Sequence, residues 1–225
     1  MEEEKKIRIV CMGDSITEGF GLWDTPDCFY PSILQDILGS DYEVFNQGVS
    51  CTCVSNYEKD GHVYGMPYVR QEKYRQALDL AGDIYVIMLG TNDAQDGMSD
   101  DGTSQDPYNI LIDLEPDFER YYQVILNDIR QVAPNALLYL VAPIPVYGCI
   151  WRRHQEHYLL RLLPHIRALA DRNGAHYINL HDELLKLPPE VFDSMYQEDG
   201  LHPNMNGTTI IAGVIAYHIG NREEV

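Results

Sequence analysis

The chain is expected to fold as an α/β protein, a three-layer α/β/α sandwich around a five-stranded parallel sheet. Three features of the sequence predict this. Short apolar runs recur along the chain, the clearest being Ile84 to Leu89. Stretches with an apolar stripe at helical spacing lie between them, the strongest from Asp117 to Val132. The runs deliver turns rich in Gly, Asn and Asp, at the strand ends where open parallel sheets place their ligands. Strands that alternate with helices imply parallel pairing, with right-handed crossovers covering both faces of the sheet.

The first strand starts at Ile7 and runs into Gly13-Asp14-Ser15, a turn lying between glycines 13 and 19. Read alone, Asp14-Ser15 is equally the cap of a following helix. Trp23 to Tyr30 is a loop marked by Asp24, Pro26 and Asp27, and Pro31 then opens a helix that Gly39 closes. Ile33, Leu34, Ile37 and Leu38 form its apolar stripe. Tyr42 to Phe45 is the second strand and delivers Asn46-Gln47-Gly48, after which Val49 to Tyr68 reads as irregular and polar. A helix over Glu72 to Ala81 leads to the strand Ile84 to Leu89, which delivers Gly90-Thr91-Asn92-Asp93.

Asp96 to Glu115 is a long acidic loop without helical or strand period, and it lacks the ordered ligand alternation of a calcium loop. The helix Asp117 to Val132 carries Phe118, Tyr121, Tyr122, Ile125, Ile129 and Val132 on one side. Ala136 to Val141 is the fourth strand, stopped by Pro143-Ile144-Pro145. The loop Val146 to Arg153 follows, then a long helix from His157 to Asn173 that contains Pro164. His176 to Asn179 is a short fifth strand, Pro188 to Met195 a connector, and Asn204 to about Ile219 the last helix.

At 225 residues, 45% of them apolar, the chain is expected to form one domain over 1–225, burying roughly 70% of its unfolded surface. No apolar run approaches the roughly 20 residues that span a bilayer. The start, Met1 to Lys6, is charged and does not read as a secretory signal, so a cytoplasmic location is expected. The formal net charge of -19 argues against nucleic acid and anionic membrane surfaces as partners. Self-association stays open. The five cysteines have no repeating spacing and read as free, mostly buried thiols. Cys51-Thr52-Cys53 has no second pair with which to hold a metal.

Four segments carry the chemistry: Gly13-Asp14-Ser15, Asn46-Gln47-Gly48-Val49-Ser50, Leu89-Gly90-Thr91-Asn92-Asp93 and Asp199-Gly200-Leu201-His202-Pro203. In order and spacing they resemble the sequence blocks of the GDSL-type esterases, the SGNH hydrolase family. The resemblance runs from Ile7 to about Gly207. It implies a flavodoxin-like strand order, which the pattern of residues alone does not show.

In that light Ser15 is the candidate nucleophile and His202 the base that takes its proton. Asp199 lies three residues before His202, near enough to hold the imidazole in the required tautomer, and this local pairing is a trait the resemblance implies. Attack on an ester carbonyl creates an oxyanion. Its candidate donors are the backbone N–H of Ser15, the backbone N–H of Gly48 and the side-chain amide of Asn92, a trio that similar enzymes use. Asp14 and Asp93 are expected to hold Ser15 and Asn92 in place. No Gly-x-Ser-x-Gly elbow is present, which disfavours the ordinary α/β-hydrolase architecture, and no step calls for a metal or other cofactor.

The expected activity is ester hydrolysis through an acyl-enzyme, with removal of O-acetyl groups from a carbohydrate as the leading substrate reading. The block texture resembles bacterial carbohydrate O-acetylesterases. The loops expected at the strand ends carry aromatic side chains suited to sugar faces: Trp23, Tyr30, Tyr57, Tyr64, Tyr108, Tyr147 and Trp151. Trp151, Arg152 and Arg153 are candidate substrate-binding residues, the arginines for an acidic sugar. The alternatives are a lysophospholipase, thioesterase or general short-chain esterase. In a different class stands an inactive glycan- or protein-binding module.

Overall fold

The computed structural model describes residues 5–94, 115–147 and 155–221. In chain order the strands are β1 (Ile7–Gly13), β2 (Tyr42–Gly48), β3 (Glu58–Lys59), β4 (His62–Val63), β5 (Ile84–Met88), β6 (Leu137–Val141) and β7 (His176–Ile178). The helices are α1 (Ser15–Glu18), α2 (Tyr30–Leu38), α3 (Glu72–Asp79), α4 (Glu115–Val132), α5 (Gln155–Asn173), α6 (Leu180–Leu185), α7 (Pro189–Asp193) and α8 (Met205–Gly220).

Five strands form one sheet in the order β2-β1-β5-β6-β7, every pair parallel. Counted within that sheet the order is 2-1-3-4-5, the flavodoxin-like arrangement. The chain leaves β1 to one side for β2 and returns to the other side for β5. The crevice between the ends of β1 and β5 is therefore the switch point at which such sheets bind ligands.

Alternation along the strands builds two cores. Val10, Met12, Tyr85, Ile87, Leu138 and Leu140 face one side and meet α3, α4 and α5. Ile9, Cys11, Val86, Met88, Tyr139 and Val141 face the other and meet α2, α6 and α8. A strand buried on both faces needs the near-continuous apolar run that makes β5 the most legible element.

The structure departs from the sequence reading in several places. β2 runs on through Gly48, because its ladder with β1 continues register by register from Ile7↔Tyr42 to Gly13↔Gly48. Backbone pairing overrides the poor strand propensity of Asn46, Gln47 and Gly48. α5 runs through Pro164 as expected, but it starts at Gln155, two residues before the expected His157. The segment read as irregular contains the β3–β4 hairpin, turning at Asp60-Gly61 with φ of 52° and 77°, the positive pair that a type I′ turn needs. Helices α6 and α7 were too short to show a period. On α2, Ile37 is exposed, and Tyr30 and Leu34 take the buried face. Val132 of α4 is likewise exposed. Among the described cysteines only Cys11 and Cys53 are buried; Cys28 is half-buried and Cys51 exposed.

Candidate active site

β1 ends at Gly13, and the next two residues set the centre of the site. Asp14 caps α1: its Oδ1 accepts the Ile16 N–H at 3.0 Å. Ser15 is the first residue of that helix, so its own N–H is one of the donors a helix start leaves unpaired within the helix. The capping and nucleophile readings of Asp14-Ser15 are therefore compatible. The cap aims the serine.

The Ser15 Oγ lies 2.9 Å from Nε2 of His202. On the other side of the ring, Nδ1 lies 2.5 Å from Oδ2 of Asp199. The other Asp199 oxygen accepts the backbone N–H groups of Leu201 and His202, each at 2.9 Å. These bonds fold Asp199–His202 into a tight turn that presents imidazole and carboxylate together. Burial pushes the Asp199 carboxyl up, but the bonds from the His202 ring and the two N–H groups outweigh it and hold the carboxyl below its usual range. Both Ser15 and His202 are buried at the rim, 7% and 9% exposed.

Asn92 follows β5 across the crevice. Its Nδ2 donates to the Thr52 carbonyl at 2.9 Å, which fixes the plane of the amide. Gly48, at the end of β2, is beside them, but its N–H already donates to Asn46 Oδ1 at 2.9 Å. Packing, beyond the donor role, requires glycine at this position. A Cβ would lie 2.2 Å from the Glu18 nitrogen and 2.6 Å from the Thr17 carbonyl carbon. The backbone of α1 crosses there, and only glycine lets it pass.

The profile of the GDSL-like lipase/acylhydrolase family matches residues 11–210, a span that takes in all four chemical segments. The chain belongs to that family. The acetylxylan esterase of Xylanibacter ruminicola is 31% identical over 218 residues, covering 95% of this chain and 43% of that protein. This chain thus spans less than half the length of that relative. The lipase/acylhydrolase from Enterococcus faecalis superposes with a TM-score of 0.66 at 20% identity, covering 97% of this chain and 100% of that one. A carbohydrate acetylesterase family member from Sinorhizobium meliloti gives 0.64 at 18% identity, covering 95% and 97%. At these identities the two solved structures speak for the fold.

In this GDSL-family chain the loop carrying Asn92 is anchored by Asp93. Its fully buried carboxylate accepts the Val54 and Ser55 N–H groups at 2.8 and 2.9 Å. Those bonds pin the segment 52–55 and hence the Thr52 carbonyl that orients Asn92. Burial raises the Asp93 carboxyl, and the two N–H groups offset part of that.

Asp14 has less support. The Thr91 hydroxyl eases its burial, yet Oδ2 closes no full hydrogen bond, and the carboxyl is pushed up from 3.8 to about 7, mainly by burial. The folded state therefore holds this proton more tightly than the unfolded chain. Stability from this group falls as pH rises through the window from 3.8 to about 7, and above it the cost is about 4 kcal/mol. Asp14→Asn keeps an acceptor for Ile16 and cannot ionise. Its melting temperature relative to wild type should climb between about pH 4 and pH 7 and then level off in calorimetry. A pH-independent difference would contradict a protonated Asp14.

Other residues brace the site, and apart from Tyr147 none of them was singled out in the sequence. Gln197 Nε2 donates to the Phe20 carbonyl at 2.8 Å and to the Pro203 carbonyl at 3.0 Å, and its N–H donates to the His202 carbonyl at 2.8 Å. It ties the loop after Ser15 to the turn that carries His202. The Tyr147 N–H donates to the Gly200 carbonyl at 2.8 Å. The preceding residue, Val146, donates its N–H to Glu156, whose carboxylate also holds the buried His181 at 2.7 Å. Phe20 lays its ring against His202, with centroids 4.4 Å apart and planes at 33°. A lone aromatic residue between Gly19 and Gly21 was the available signal.

Of the aromatic residues expected at the rim, Trp23 and Tyr147 are exposed, and Tyr57 packs on Tyr64 beside the hairpin. Tyr30 leaves that set. It is fully buried beneath α1, its hydroxyl 3.2 Å from the Thr17 hydroxyl. Tyr108, Trp151, Arg152 and Arg153 lie outside the described residues, as does the acidic segment from Asp96 to Leu114.

Proposed function

We propose that this chain hydrolyses carboxylic esters through an acyl-enzyme on Ser15, and that its natural reaction removes acetyl groups from a carbohydrate. The observation that carries the hydrolase reading is the continuous chain Ser15 Oγ, His202 imidazole, Asp199 carboxylate, with contacts of 2.9 and 2.5 Å. A serine hydroxyl is inert until a base takes its proton, and a base is useful only when oriented. Both conditions are met.

In the first half-reaction the Ser15 oxygen bonds to the acyl carbon while its proton passes to His202 Nε2. Asp199 stabilises the imidazolium through Nδ1–H. The tetrahedral intermediate carries its charge on the former carbonyl oxygen, stabilised by the Ser15 N–H and the Asn92 amide. Gly48 contributes only as a shared donor, since Asn46 holds the same hydrogen. The carbon–oxygen bond to the alcohol breaks as His202 returns the proton to the leaving oxygen. Water then bonds to the acyl carbon as its proton passes to His202, the bond from that carbon to Ser15 Oγ breaks, His202 returns the proton to Oγ, and the acid leaves.

The acetyl-carbohydrate reading draws on the acetylxylan esterase relative and on the exposed aromatic side chains near the site. Its test is a panel of purified substrates: acetylated xylo-oligosaccharides, p-nitrophenyl esters of two to twelve carbons, a lysophospholipid and an acetyl thioester. The expected result is the highest kcat/KM on the acetylated sugars and a steep fall beyond short acyl chains. A preference for long acyl chains or for the lysophospholipid would remove the carbohydrate assignment and leave the hydrolase intact.

A further inference from the structure

We infer that Phe20 and Trp23 form the subsite for the departing alcohol, and that it favours alcohols bearing a ring with a flat apolar face, a pyranose or an aryl ring. The inference rests on the serine-esterase reading above. In that reaction His202 Nε2 must hand its proton to the leaving oxygen, so the alcohol comes within hydrogen-bond reach of the imidazole. Its body then extends past that ring. The surface there is aromatic. Phe20 lies against the imidazole at 4.4 Å and is 40% exposed. Trp23 meets Phe20 edge-on at 5.7 Å, and is 53% exposed.

These rings are exposed yet held. Trp23 is also edge-on to Phe29, with centroids 6.5 Å apart and planes at 86°. The Gly19 and Phe20 N–H groups both donate to the Ser15 carbonyl at 3.0 Å, and the Phe20 carbonyl accepts from Gln197. Gly19 and Gly21 take φ of +92° and +79°, which turns the chain back so that the intervening ring reaches His202. A Cβ on Gly19 would also strike the Phe29 ring at 2.3 Å. The pair is thus tied to the nucleophile on one side and to the base on the other. Neither ring belongs to the two buried cores. An aromatic surface placed this way meets the C–H face of a sugar or the face of an arene.

The test compares phenyl acetate with methyl acetate, which share the acyl group and differ in the alcohol. The quantity read is the ratio of their kcat/KM values, which does not depend on the fraction of enzyme that is folded. Trp23→Ala should lower that ratio about tenfold relative to wild type, and Trp23→Phe should retain most of it. Phe20→Leu should lower it as well, because an apolar cover on His202 remains without a flat face. An unchanged ratio in Trp23→Ala would overturn the inference. So would an equal fall for both esters, or a Trp23→Phe variant no better than Trp23→Ala. The carbohydrate reading is judged separately on wild type. Failure on acetylated xylo-oligosaccharides with the ratio effect intact would refute that reading and leave the alcohol subsite standing.

Discussion

Ser15→Ala is expected to lower p-nitrophenyl acetate turnover by about 10⁵-fold, with the melting temperature nearly unchanged. In the proposed mechanism the hydroxyl is the bond-forming group, so its loss removes the acyl-enzyme route altogether. Its structural contribution is one hydrogen bond to His202 at a rim position, worth about 1 kcal/mol. His202→Ala should cost a similar factor. The double variant should be little worse than either, because a nucleophile and its base act as a unit and their losses do not add. Additive losses would indicate that the two residues serve different steps. The measurement is steady-state kinetics on the three variants, with unfolding scans to show that each is folded.

Asn92→Ala should reduce kcat by about 10² to 10³ with a small effect on KM. The amide is held by the Thr52 carbonyl at 2.9 Å, and Asp93 in turn fixes that segment through the Val54 and Ser55 N–H groups. A donor positioned in advance costs no reorganisation when the carbonyl oxygen acquires its charge. It acts more strongly on the tetrahedral intermediate than on the neutral ester, so the loss falls on kcat. Because the Gly48 N–H is already engaged by Asn46, Asn92 should carry an unusually large share. A rise in KM with kcat preserved would place Asn92 in ground-state binding instead.

How legible the site was in the sequence follows from the range of each interaction. Asp199 and His202 are three residues apart and fold into one turn, so the spacing allows their pairing, and the family resemblance implied it. Ser15 and Asn92 are marked by the ends of β1 and β5, whose apolar runs are plain. Gly48 was found for an incomplete reason, since the need for glycine arises where α1 crosses β2 in space. Phe20 and Gln197 were not singled out. Their partners lie at the far end of the chain, the Gln197–Phe20 bond spanning 177 residues, and no periodicity reports such a contact. Tyr30 was misplaced because Pro31 was read as opening the helix, whereas the helix starts one residue earlier and carries the Tyr30 ring into the core. The strand order followed from the family resemblance, since a pattern of strands and helices is compatible with several orders. The Asp60-Gly61 hairpin was readable from its dipeptide and was passed over because its strands are only two residues long.

The central claim is that Ser15 is activated by His202 for attack on an acyl carbon. Reaction with a fluorophosphonate probe, followed by peptide mapping, tests it most directly. Wild type should take up one label per chain, on the peptide containing Ser15, and Ser15→Ala should take up none. Under the same exposure His202→Ala should label far more slowly. A label on a different residue, or equal labelling of wild type and Ser15→Ala, would contradict the account.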